Sequence, residues 1–402
     1  MFKPQPRSLA GRTGQLAGQY VRARQEMALA LKEIFGDLVH DGRPLPPEAV
    51  RDPRESANVE LPGPAQPRQS PGVKQEPTID LEGLRGSGPF TVFVLGAGAS
   101  KDAGFPICRD FFSTAYLEQV GIRLDPNPGG GSLSGAGIEE LLMEAYSSDM
   151  AQFERLKVFY ERVFFRADSK FKNVTGSTPT RQWVDETLHY FFLLAYFLEA
   201  AAQGRHVVVI SFNHDLCVEE LLRNQSFNYG TLTKRMYSVG DYPGLPNFGH
   251  DLTLLKMHGS FNFAHCKNCD AIWCECDWVW DKGNDYPCGK CGQLGYNFYV
   301  PPSVTKDVSN LKEAWEDARH FLRHAEEVFV VGYSLPSYDT HAVELFEHTS
   351  PEAELAIIDP FAPDLLQRYA SIMPVRNRFF SESTWHEFTQ DLMFEYWPFV
   401  RF

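Results

Sequence analysis

Nowhere does this sequence hold an apolar run long enough to cross a bilayer. The most apolar segment, Tyr190 to Ala202, is 13 residues long and includes Glu199, whereas a spanning helix needs about 20. It reads as a buried helix. The opening residues Met1 to Arg12 contain no apolar core followed by small residues, so no secretory signal is expected. That makes the expected compartment intracellular, cytoplasmic before nuclear, and reducing. Basic side chains are scarce, with 38 Lys and Arg against 52 Asp and Glu for a net charge of −14. So acidic a balance argues against a general nucleic-acid-binding surface and leaves any small anionic ligand to local donors. In a reducing compartment the eight cysteines are expected to hold metal rather than disulfides.

At 402 residues the chain is long for one domain, and two folded units, or one with an insertion, are expected. Residues 1–40 carry apolar side chains at Met27, Leu31, Ile34, Phe35 and Leu38, leaving Arg22, Lys32 and Glu33 for solvent. This is the spacing of an amphipathic helix. It either packs back onto the main domain or mediates self-association or docking of a partner chain, and a homo-oligomer is expected through it. Residues 41–88 repeat proline among polar residues without apolar periodicity and read as a disordered linker. The matches there at Val73-Lys74-Gln75-Glu76 (a sumoylation pattern) and Ile79-Asp80-Leu81 are short enough to arise by chance.

In residues 89–402 a series of apolar runs ends in glycine or polar residues. Thr91 to Leu95 reads as a strand buried on both faces, and it breaks into Gly96-Ala97-Gly98-Ala99-Ser100. Without Cβ atoms, Gly96 and Gly98 can bring backbone N–H groups against a pyrophosphate. With Gly104 next, the spacing departs from G-x-G-x-x-G, so a helix starting at once is not expected; Ser100 or Asp102 would start or cap it. Asp125 to Gly137 reads as a surface loop, and Trp183 to Gln203 as a long apolar helix. His206 to Ile210 is the next strand, ending in Ser211-Phe212-Asn213-His214-Asp215. Asn213 and Asp215 are there either as site residues or as caps of the helix carrying Leu216 to Leu222. Leu252 to Met257 ends in His258-Gly259-Ser260, where an imidazole could move a proton at neutral pH. A helix follows over Leu311 to Ala325. Val328 to Val331 ends in Gly332-Tyr333-Ser334, and Leu355 to Ile358 ends in Asp359, either a ribose acceptor or a simple loop acid.

Cys266-x-x-Cys269 and Cys288-x-x-Cys291, eighteen residues apart, match two knuckles of a tetrahedral zinc site. A set of four thiolates leaves no open position, which makes the metal structural. Cys274 and Cys276 lie between the pairs and could permute the set. Trp273, Trp278 and Trp280 are expected to pack the ribbon, residues 262–298.

The order of these motifs resembles the sirtuin family, in particular its divergent sirtuin-like branch, over Phe90 to Asp359. Gly96-Ala97-Gly98-Ala99-Ser100 is similar to the family's GAG-x-S loop and Gly104-Phe105-Pro106 to its G-I-P. Ser211 to Asp215 is similar to its T-Q-N-I-D, His258-Gly259 to its catalytic HG, and Gly332-Tyr333-Ser334 to its G-T-S. The resemblance implies an α/β fold, a Rossmann-like parallel sheet with helices on both faces plus a small zinc-ribbon domain, with NAD+ between them. It implies that Asn213 positions the nicotinamide ribose and His258 acts on its hydroxyls. Gly96, Ala97, Gly98, Ser100, Gly104, Pro106, Arg109, Asp215, Gly332, Ser334 and Asp359 are the further residues expected to line the NAD+ site.

Three departures bear on the reaction. Ile107-Cys108-Arg109 replaces the Asp-Phe-Arg of protein deacylases, removing the aromatic lid over the reactive carbon. Tyr299-Val300-Pro301-Pro302-Ser303 replaces the strand that pairs with a substrate peptide, and proline lacks the N–H for such pairing. Tyr333 replaces a threonine. Together they make an NAD+ glycohydrolase, releasing ADP-ribose and nicotinamide, the leading expectation. An NAD-dependent protein deacylase and a non-catalytic NAD or ADP-ribose sensor are the alternatives.

Overall fold

The computed structural model describes residues 90–108, 110–122, 137–175, 189–190, 193, 196, 205–224, 230–233, 236–239, 252–274, 279, 286–300, 308–375 and 377–396. All belong to one unit, Thr78–Phe402. The expected N-terminal helix and linker, most of the 125–137 loop, Arg109, Cys276, Trp278, Trp280, Pro301, Pro302 and Ser303 lie outside the described residues.

Strand β1, Phe90–Leu95, is buried along its whole length. Because strand side chains alternate, Phe93 and Leu95 enter one core while Phe90, Val92 and Val94 enter another on the opposite face. Helix α1, Ala97–Lys101, begins at once after Gly96, contrary to the expected delay. Gly96 is extended, and its carbonyl takes the Ala99 N–H at 2.9 Å, so the first turn closes without a capping side chain. The helix is only five residues long, and Gly104, at φ +89°, turns the chain out of it.

Helix α2, Thr114–Gln119, is capped by the Ser113 hydroxyl, and α3, Ile138–Ser148, and α4, Met150–Thr175, follow. Of the expected Trp183 to Gln203 helix, His189, Tyr190, Leu193 and Tyr196 are described, and all are helical. Then come β2, His206–Ser211; α5, Cys217–Asn224; β3, Gly230–Thr233; β4, Met236–Val239; and β5, Leu252–Lys256. A smaller unit holds β6, Gly259–His265; β7, Ile272–Cys274; and β8, Tyr296–Tyr299. The chain returns through α6, Lys312–Arg323; β9, Ala325–Val331; α7, Thr340–Phe346; and β10, Glu354–Ile358. It ends with α8, Ala362–Ala370; β11, Asn377–Ser381; and α9, Trp385–Tyr396.

Among the described residues the main sheet runs β11-β10-β9-β1-β2-β5-β3-β4. Every neighbouring pair is parallel except β3 with β4. One core takes Ile138, Leu142, Val163 and Trp385 from α3, α4 and α9; the other takes Trp315, Phe321, Leu345 and Tyr369 from α6, α7 and α8. Helices therefore cover both faces, as a doubly wound sheet requires. After β1 the chain builds outward through β2 and β5, then crosses to the other side of β1 for β9, β10 and β11. The order reverses between β1 and β9, and a crevice outside the carboxyl ends of strands at such a point is where open α/β sheets bind ligands. The small antiparallel sheet, β7-β6-β8, is continuous with β5 through Met257 and His258.

Candidate functional site

Two loops meet at that reversal, one after β1 and one after β9, and glycines let them touch. A Cβ on Gly96 would lie 2.5 Å from both the Gly332 oxygen and the Tyr333 Cα, and one on Gly98 would lie 2.7 Å from the Gly332 Cα. Gly332 is left-handed, at φ +60°, and its Cβ would meet the Ala99 nitrogen at 2.3 Å. Gly96 N–H donates to the Val331 carbonyl at 3.0 Å and Gly98 N–H to the Gly332 carbonyl at 2.9 Å. These two donors, read from sequence as pyrophosphate ligands, are spent joining the loops, and glycine is required by the close approach.

The end of β2 locks onto the same loop. Asn213 Nδ2 donates to the Gly96 carbonyl at 2.8 Å and to Ser100 Oγ at 3.1 Å. Ser100 donates to Asp215 Oδ2 at 2.7 Å and lies 2.7 Å from the Tyr190 hydroxyl, which burial pushes well above the ordinary phenol range and so keeps a donor. Asp215 Oδ1 accepts the Cys217 N–H at 3.1 Å, so Asp215 caps α5 while its other oxygen serves the site. Asn213 makes no such cap. Beneath them Lys256, 1% exposed, donates to the Asp215 carbonyl and lies 3.3 Å from Glu219 Oε1.

His258 stands where β5 passes into β6. Gly259, at φ +71°, turns the chain there, and the His258 carbonyl accepts the Val300 N–H at 2.7 Å. Its ring is buried between Phe212, at 5.3 Å edge-on, and Trp315. Its Nε2 is 3.4 Å from Asp339 Oδ2, and the Tyr333 hydroxyl donates to that same oxygen at 2.9 Å. Tyr333 stacks on Phe212 at 4.1 Å and 5°, and burial beside Asp339 pushes its phenol well up.

One cavity takes in most of the residues expected from sequence: Ala97, Ser100, Pro106, Asn213, Asp215, His258, Gly332 and Ser334. Gly96, Gly98, Gly104 and Asp359 do not line it. A Cβ on Gly104 would meet nothing within 4 Å, and Asp359 Oδ1 accepts the Phe361 N–H at 2.8 Å ahead of α8. Cys108 and His214, from the segments marked in the sequence, line it too, as do Tyr160, Glu139 and Asp339, which were not singled out from sequence. Tyr160 is 2.9 Å from His214 Nδ1. Burial pushes the Cys108 thiol well up, and the Glu139 carboxylate beside it adds to that. Asp215, Asp339 and Glu139 are carboxylates in this lining, and among the described residues no Lys or Arg lines it. Phe105, Phe111, Tyr160, Phe164 and Phe212 add aromatic walls to the same cavity.

In the small unit the sulfurs of Cys266, Cys269, Cys288 and Cys291 all lie within 4.8 Å of one another. Cys266 and Cys291 are 3.5 Å apart, as are Cys269 and Cys288. Four converging thiolates form a closed donor set for a soft tetrahedral metal. Cys274 is not in that group; its sulfur accepts from Asn262 Nδ2 at 3.0 Å. Trp273 packs against Gly295, where a Cβ would strike its ring at 2.3 Å. No helix among the described residues is long and apolar enough to cross a membrane.

No family model matches the sequence, and no curated protein matches it. Among solved structures, a Sir2 homologue bound to NAD is similar at 16% identity and a TM-score of 0.40, over 79% of this chain and 94% of that one. A mutant Sir2 homologue with 2′-O-acetyl-ADP-ribose gives the same four values. Sir2 bound to an acetylated peptide is similar at 16% identity and a TM-score of 0.38, over 78% of this chain and 96% of the other. At that distance the likeness says nothing of this chain's chemistry.

Proposed function

We propose that this chain is a sirtuin-like enzyme that consumes NAD+, cleaving the nicotinamide–ribose bond as an NAD+ glycohydrolase. The observation that carries the reading is one cavity at the switch point holding Asn213, His258, Ser100 and Asp215, with carboxylates and, among the described residues, no Lys or Arg in its lining. Nicotinamide in NAD+ is a cationic leaving group, and positive charge passes to the anomeric carbon as the bond breaks. Fixed carboxylates around that carbon stabilise the developing charge. The N–C1′ bond gives its electron pair to nicotinamide, which leaves neutral. Water adds to C1′, and its proton goes to His258 or, through a ribose hydroxyl that His258 has deprotonated, to solvent. Asn213, already tied to the glycine loop, holds the ribose. Cys108, too small to roof the carbon, favours water as acceptor.

In the small unit the closed set of four thiolates is proposed to hold structural zinc. Zn–S bonds of about 2.3 Å place tetrahedral sulfurs about 3.8 Å apart, a separation that the cluster fits. The ion would brace the strand that begins at Gly259, next to His258.

Product analysis tests the reaction. Free ADP-ribose and nicotinamide from NAD+ alone are expected. An acyl-ADP-ribose formed only with an acylated peptide would make the chain a deacylase, and binding without turnover would make it a sensor. His258→Ala and Asn213→Ala should each cut nicotinamide release about 10²-fold or more with little change in melting temperature. Near wild-type release by His258→Ala would remove its role.

A further inference from the structure

Asp339 precedes Thr340 at the start of α7, where an aspartate ordinarily caps the helix. It occupies the cap position, yet its side chain makes no capping hydrogen bond. Its backbone carbonyl takes the ordinary first bonds of the helix, accepting from Ala342 at 3.0 Å and Val343 at 3.1 Å. The carboxylate, in a residue 1% exposed, turns into the cavity toward His258 Nε2 and takes the Tyr333 hydroxyl on the same oxygen. A buried carboxylate is costly unless it does something for its neighbours. Here it trades a cap worth roughly 1 kcal/mol for a place behind an imidazole.

We propose that Asp339 is the positioning residue of His258. Its carboxylate holds the imidazole as the Nε2–H tautomer, leaving Nδ1 as the basic nitrogen for the reaction, and Tyr333 holds the carboxylate. A base oriented by a third group is a recurring arrangement in proton-transfer sites. The distance of 3.4 Å suits it, because such bonds are commonly long before substrate closes the site. Tyr333 fits the same arrangement, since its ring stacks on Phe212, itself edge-on to His258, and its hydroxyl reaches Asp339. The other titratable groups lining the cavity with His258 are His214, its ring centroid 6.3 Å away, and Asp215, Glu139, Tyr160 and Cys108. Of these, His214 offers its Nδ1 to Tyr160, and Asp215 is engaged by Ser100 and the α5 cap. Asp339 is the carboxylate at ion-pair distance from the ring.

The inference rests on the NAD+ reading for its consequence but is tested apart from it. In protein labelled with ¹⁵N-histidine, the His258 signals, assigned by their loss in His258→Gln, report the neutral tautomer directly. Wild type should show Nε2–H. Asp339→Asn is isosteric and keeps a good helix-capping residue; its amide can donate to Nε2 and should switch the ring to Nδ1–H. It should also lower the pH at which His258 titrates by about one unit, since a carboxylate no longer favours the imidazolium. Nicotinamide release should fall about 10²-fold in kcat with KM for NAD+ within threefold. Tyr333→Phe should keep the Nε2–H tautomer. A wild-type Nδ1–H tautomer, or an Asp339→Asn spectrum and titration matching wild type, would overturn the proposal. If wild type releases no nicotinamide, the NAD+ reading fails while the tautomer result still judges the pairing.

Discussion

Three glycines, each replaced by alanine, separate two reasons for needing glycine. Gly96 is extended, at φ −112°, so alanine costs nothing conformationally there, but its Cβ would overlap backbone atoms of Gly332 and Tyr333 at 2.5 Å. Overpacking of that kind costs about 1–3 kcal/mol. Gly104 is the reverse, at φ +89° with nothing within 4 Å, so alanine meets only the left-handed penalty of about 1–2 kcal/mol. Gly332 carries both, at φ +60° and 2.3 Å from the Ala99 nitrogen, and Gly332→Ala should cost about 2–5 kcal/mol. At roughly 2 °C per kcal/mol for a unit of this size, the unfolding midpoint should fall by about 4–10 °C for Gly332→Ala, about 2–6 °C for Gly96→Ala and about 2–4 °C for Gly104→Ala. Scanning calorimetry on the three variants and wild type measures this. If Gly104→Ala falls as far as Gly332→Ala, or Gly96→Ala leaves the midpoint unmoved, the two loops are not clasped as described.

Replacing Cys288 by serine should release about one metal equivalent and lower the midpoint, because structural zinc contributes folding free energy directly; purified wild type without zinc by elemental analysis would end that reading. Lys256→Met should cost about 3–5 kcal/mol by stranding the Glu219 charge, while Lys256→Met with Glu219→Leu should recover most of it; a double variant no better than the single would show that the pair does not act as one. Burial, with His386 adding to it, holds His189 down to about 3 from 6.5. Below pH 6.5 the unfolded chain therefore gains a proton that the folded chain refuses, so stability present at neutral pH is lost from 6.5 down toward 3. Between pH 6.5 and 5 the loss should be about 2 kcal/mol, and His189→Phe should flatten it; equal slopes in denaturant titrations of the two proteins would refute this.

Buried parallel strands are legible because both faces are apolar, and β1, β2, β5, β9 and β10 all read as short runs of Val, Ile, Leu and Phe closed by polar or small residues. The outer strands are not. Gly230-Thr231-Leu232-Thr233 and Met236-Tyr237-Ser238-Val239 are four residues each, and Phe379 and Phe380 of β11 are about half exposed, so no periodicity marks them. The site divides in the same way. Residues at strand ends, such as Asn213 and His258, follow an apolar run and can be found. Asp339, Glu139 and Tyr160 come from helices that the crossovers bring back over the sheet, and locally Asp339 looks like an ordinary cap. Only its partner across the cavity reveals the difference.

Tyr333 shows why a departure from a motif has to be read with its neighbours. Taken alone, a tyrosine where a threonine is expected removes a small contact residue from a pocket. In the fold its Cα and Cβ lie 2.5 and 2.6 Å from where a Cβ on Gly96 would be, a clash that threonine would share, so the glycine at 96 answers to the approach of the loops and not to the ring. The Tyr333 ring covers Phe212, and its hydroxyl reaches a carboxylate that has given up a helix cap. Each of these two groups is costly by itself: a buried phenol must find an acceptor, and a buried carboxylate must find donors. Together they satisfy one another, because the phenol donates to the carboxylate. This consistency makes Tyr333 and Asp339 one unit beside His258, to be substituted together if a threonine is placed at 333.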